Sequence, residues 1–81
     1  MRFLFTMHMP SFSGNLVHQV IGDYPADSLE QMTQVIAGSD FIIVNEIYKT
    51  DEPRGVKPTY YEKGEVSLNC LHIGKVKAFS A

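Results

Sequence analysis

The chain has 81 residues, a formal net charge of −2, 44% hydrophobic and 20% charged residues, and one cysteine. That length holds a single small domain with no second core, and the apolar content is that of a folded chain rather than a disordered one. The charge gives neither the basic footprint of a nucleic-acid binder nor the acidity of a nucleic-acid mimic, and no apolar run reaches the ~18 residues of a membrane span.

Nucleic acid and membrane are therefore not expected partners. The opening MRFLFTMHM carries one Arg and alternating apolar residues, without a signal-peptide core, so a cytoplasmic location is the default expectation. Chains this short commonly lean on disulfides, a metal or a partner subunit. Cys70 alone closes no bridge within the chain, and one cysteine with three scattered histidines supplies no zinc-ligand spacing. No cofactor or metal is expected, and by elimination a second copy of the chain is the support to look for.

From Arg2 to Met9 the pattern alternates, with Phe3, Phe5, Met7 and Met9 on one side, which predicts a strand with one strongly apolar face. Pro10 to Asn15 has the composition of a hairpin loop. A second strand follows from Leu16 to about Tyr24, apolar on both faces, in which Gly22 marks a bulge or a close approach. If Met9 faces Leu16 across this hairpin, His8 lies opposite Val17 and His18 opposite Met7, and the two rings point to opposite faces. A slip of one residue would bring them together.

A helix is predicted from near Pro25-Ala26-Asp27, with Asp27 and Glu30 at capping-box spacing. Leu29, Met32, Val35 and Ile36 form its single apolar stripe, and Gly38 stands where a left-handed terminal residue is wanted. Phe41 to Lys49 reads as a strand buried on both faces. Residues 50–59, with two prolines and a glycine, read as the longest loop. Tyr60 and Tyr61 open a further strand that turns at Glu62-Lys63-Gly64-Glu65. The stretches Val66 to Leu71 and Ile73 to Phe79 form one long strand or two joined near Asn69 to His72. The expected fold is α+β in the order β-β-α-β-(β)-β, a mainly antiparallel sheet of four to five strands with one helix packed on one face, and residues 1–81 form one domain.

A helix of about eleven residues is about 16 Å long and shields one face of about three strands. In strand 41–48, Phe41, Ile43 and Ile47 share one face, and Ile42, Val44 and Tyr48 share the other. One set lies under the helix, and the second has nothing in this chain to cover it. Ile42, Val44 and Tyr48 are taken as the interface, and a homo-oligomer, dimer or higher, is its simplest cover.

Ser11, Ser13 and Asn15 with Gly14 offer hydroxyls and backbone N–H groups to an anion, although the same residues are what a tight turn needs for its own backbone. Arg54, Lys57, Tyr60 and Tyr61 could hold a phosphate and stack a base. Lys75 and Lys77 alternate along the last strand and protect its edge from further pairing. Cys70 reads as an inert apolar thiol, and Met1, Met7, Met9 and Met32 as core fillers. No catalytic residue stands out. The residues point first to a non-enzymatic, homo-oligomeric interaction or regulatory module that binds another protein. The alternative is a binder of an anionic or nucleotide-like small molecule at a subunit boundary, through Ser11, Ser13, Asn15, Arg54, Lys57 and Tyr60. Were there an activity, a His-based phosphodiesterase would be its form. A motif-free chain of this length also fits a phage-type accessory protein, an expectation that no single residue carries.

Overall fold

The alternation in β1 (Arg2–Ser11) sorts its side chains as the sequence requires: Phe3, Phe5 and Met7 are buried and the residues between them are not. A two-residue turn at Phe12-Ser13 leads into β2 (Gly14–Asp23), then α1 (Leu29–Gly38), β3 (Phe41–Lys49), β4 (Tyr60–Asn69), a single 3-10 turn at Cys70–His72, and β5 (Ile73–Ala78). These elements belong to a computed structural model, which describes residues 1–50, 55 and 57–79 and, at Asn15, the backbone alone. All pairings are antiparallel and the strand order is β4-β3-β2-β1-β5. The fold is thus α+β with one helix on one face of the sheet.

The helix face holds the core. Met32 is fully buried against Phe3, Phe5, Met7, Val20, Ile42, Val44, Leu68 and Cys70, with Ala26, Val35 and Ile36 beside them. Gly22 pairs with Phe3 and Glu46 on this face, and a β-carbon there would lie 2.7 Å from Val44 Cγ2. This is the close approach that its position in the strand suggested. On the opposite, open face, Leu4, Ile21 and Ile47 stand in register across three strands. Ile47 is buried there although it is no part of the helix-side core. Tyr60 and Phe79 belong to opposite edges of the sheet, yet their rings meet edge-on at 5.9 Å. The sheet therefore curls toward its open face at this end.

Several expectations are corrected. The interface set Ile42 and Val44 lies under the helix, 3% and 1% exposed, so the uncovered set is Phe41 and Ile43. Both faces of this segment are apolar, and hydrophobicity alone does not say which one a helix takes. Tyr48 is exposed and stacks on Tyr61, with ring centroids 5.4 Å apart. The hairpin loop is two residues rather than six, because Ser11 pairs with Gly14, whose φ of +115° makes the left-handed step. The helix cap is Ser28, which accepts from Gln31 N–H at 3.1 Å, while Gln31 reaches back to Asp27 N–H. Gly38 ends the helix without a positive φ, and Ser39 caps it through a hydrogen bond to the Ile36 carbonyl. Residues 62–65 are a bulge, not a turn: Glu46 pairs with Gly64 and Ile47 with Glu62, leaving Lys63 over and Gly64 at φ +108°. Met1 and Met9 are exposed, and only Met7 and Met32 fill the core.

Candidate functional site

The first candidate is the hairpin tip. The Ser11 hydroxyl donates to the Gly14 carbonyl at 2.5 Å and lies 3.4 Å from that of Ser13. Its proton thus serves the turn. Asn15 pairs with Pro10 in the ladder. The backbone brings these three residues together, but Ser11 is engaged inward, which is the chemistry of a turn rather than an anion cradle. Between the two serines, Phe12 projects into solvent at 114% of its reference exposure.

The register of this hairpin is Met9 to Leu16, His8 to Val17 and Met7 to His18, which sends the two imidazoles to opposite faces. His8 lies over Gly74, where any β-carbon would strike its ring. Gly74 is itself the residue that the β1–β5 ladder skips. Among the described residues no group of three or more His, Cys, Asp or Glu side chains is placed to hold a metal ion.

The second candidate is the base of the 50–59 connection. Arg54 lies outside the described residues, and Lys57 is exposed. Thr50 and Thr59 clamp the base of the connection, with Thr50 N–H donating to the Thr59 carbonyl at 2.9 Å and Thr59 N–H donating to Thr50 Oγ1 at 3.1 Å. Tyr60 then meets Phe79 and a guanidinium that sequence reasoning did not pair with it: Arg2 Cζ is 5.8 Å from the Tyr60 ring centroid. Arg2 is already bound by Asp23 through two hydrogen bonds, of 2.8 and 3.3 Å. That bonding holds its guanidinium above the ordinary range, with desolvation working against it. Two of its donors are taken and its charge is matched, so this aromatic–guanidinium cluster closes the curl of the sheet and offers little to an anion.

The third candidate is apolar. Phe41 and Ile43 stand on the open face of β3, 62% and 58% exposed. Beyond Ile21 on one side and Met7 on the other, the β1–β2 hairpin pairs only with itself. It forms a projecting arm that carries exposed Met9, Phe12, Leu16 and Val17. Sequence reasoning missed Phe12, Phe41 and Ile43; the available signal was a large aromatic at the apex of a serine-rich turn. A groove of about 480 Å³ runs between the helix end and the 3-10 turn, lined by Ile36, Asp40, Phe41, Cys70 and Leu71 among others. Burial pushes the Cys70 thiol above its ordinary value, with Asp40 adding to the shift, so it stays protonated and unreactive at neutral pH. No helix among the described residues is long and apolar enough to cross a membrane. No protein-family model, curated protein or solved structure matches the chain.

Proposed function

We propose that this chain is a small interaction module that assembles with itself and docks another polypeptide on the open face of its sheet. The observation that carries the reading is the pair Phe41 and Ile43, adjacent outward positions on one strand and both more than half exposed. Two such side chains side by side, each about 60% exposed in a domain with so small a core, forfeit burial worth about 1–2 kcal/mol each. Contiguous exposed apolar surface rimmed by polar residues marks protein contact sites. Here the rim is supplied by Asn45, Ser67, Asn69 and Glu65, which lie in register around the pair.

The test is Phe41→Ser with Ile43→Ser. Both side chains point to solvent, so the helix-face core is left intact. Affinity capture from the source cells with wild type and with the double variant should yield a polypeptide that the variant loses, while far-ultraviolet circular dichroism is unchanged. An identical set of captured chains from both proteins contradicts the docking surface.

A further inference from the structure

We infer that two copies of this chain join edge to edge through residues 15–19 of β2, antiparallel about a two-fold axis near Val17. The inference rests on the self-assembly just proposed and says where it happens. β2 is paired with β1 along its whole length, but with β3 only from Ile21 to Asp23. Val20 is buried beside the continuation of β3 at Tyr48, so residues 14–19 show the free strand edge, and such an edge is a template for pairing unless it is blocked.

The other edges are blocked. β4 carries exposed Glu62, Lys63 and Glu65 and the bulge at Lys63-Gly64. β5 carries exposed Lys75 and Lys77, and the unpaired stretch of β1 contains Pro10. The parts of β3 without a β2 partner, Phe41 to Val44 and Tyr48 to Lys49, are only four and two residues long. By contrast, Gly14-Asn15-Leu16-Val17-His18-Gln19 has no proline, lysine, arginine or carboxylate, and its Leu16 and Val17 are each 58% exposed. Among the described residues it is the one long edge without the usual guards.

The occupant is a second copy because the arm supplies complementary parts. With Val17 opposite itself, Asn15 pairs with Gln19 of the second copy and Leu16 with its His18, giving the same contacts in both directions as a closed two-fold interface requires. The tip then meets the end of the second copy's β3, where Tyr48 stands one residue beyond the Ile21–Ile47 pair. There the exposed and stacked Tyr48–Tyr61 pair receives Phe12, the most exposed apolar side chain among the described residues. Five paired residues at about 3.3 Å each make a seam about 16 Å long, and each of the two Phe12 rings adds about 150–250 Å² to it.

The experiment is hydrogen exchange on the untagged protein at about 1 and about 100 µM, with native mass spectrometry at both concentrations. The expected result is a dimer in which amides of residues 15–19 slow as concentration rises, and in which Val17→Lys weakens dimerisation by about tenfold or more. Val17 is exposed in a single copy, so this variant keeps its fold; Gln19→Lys, also exposed, is the second block should Val17→Lys fail to fold. A dimer whose 15–19 amides exchange at one rate at both concentrations, with protection confined to Phe41–Val44, overturns the β2 seam and keeps self-assembly. A monomer at about 100 µM overturns both.

Discussion

Gly22→Ala probes the close packing of β2 against β3 beneath the helix. The new β-carbon would lie 2.7 Å from Val44 Cγ2 and 3.0 Å from Val44 Cβ, and Val44 is 1% exposed with the helix-side core around it. Real β-carbons do not approach this closely, so Val44 must rotate or β2 and β3 must separate. Overpacking of this kind costs about 1–3 kcal/mol. Gly22 has no positive φ, so alanine carries no backbone penalty and returns about 0.4–1 kcal/mol by restricting the unfolded chain. The net loss reaches about 2.6 kcal/mol at most and is about 1.3 kcal/mol at the middle of both ranges, which for a domain of this size lowers Tm by about 5–10 °C. The assay is thermal and urea unfolding followed by circular dichroism at one fixed protein concentration, extended to a double-mutant cycle with Val44→Ala. Shortening Val44 removes Cγ2 and leaves only its Cβ at 3.0 Å, so Gly22→Ala in that background should cost less than in the wild type, with a coupling of about 1 kcal/mol or more. A Gly22→Ala protein as stable as wild type, or a cycle with no coupling, would refute the packing described for this pair of strands.

Three further outcomes follow from single contacts. Ser28→Ala, which removes the acceptor for Gln31 N–H, should lower stability by about 1 kcal/mol in urea unfolding, whereas Asp27→Ala, one residue before the cap, should lower it by less. Gly64→Ala places a side chain at φ +108° in the β4 bulge and should destabilise by about 1 kcal/mol or more, read as a lower urea midpoint at unchanged slope. Cys70 should react with a thiol reagent at pH 8 far more slowly in the native protein than in guanidinium. Because its folded-state value is raised above the ordinary 9.0, the folded state holds the proton more tightly. Its stabilisation is therefore complete below about pH 9 and lost as pH climbs above it. A Cys70→Ala protein should show a shallower loss of stability above pH 9.

Much of the fold was legible because the patterns in question have single solutions. In β1 only one arrangement of Phe3, Phe5 and Met7 buries all three, and that face did become the core. The pairing of Met9 with Leu16 then fixed the histidines on opposite faces. Where local signals have two solutions, the sequence does not choose between them. Glu62-Lys63-Gly64-Glu65 suits a turn or a glycine bulge, and the decision came from β3, whose nine residues from Phe41 to Lys49 all find partners across β4. Phe41-Ile42-Ile43-Val44 is apolar on both sides, and the structure buries the Ile42–Val44 side, with Val44 packed over Gly22. Of the candidate site, Tyr60 was legible as an aromatic near a guanidinium, but the guanidinium is Arg2, some sixty residues away in sequence and already matched by Asp23. Ser11 and Ser13 drew attention through their hydroxyls, while the side chain between them, Phe12, is the one the fold presents. Exposure depends on where the neighbouring strands end, and local composition does not record that.

The proposed self-assembly is open to measurement by sedimentation equilibrium of the untagged protein from about 1 to about 100 µM. A mass rising to twice 9.1 kDa across that range is expected. A single species of 9.1 kDa at every concentration would contradict it.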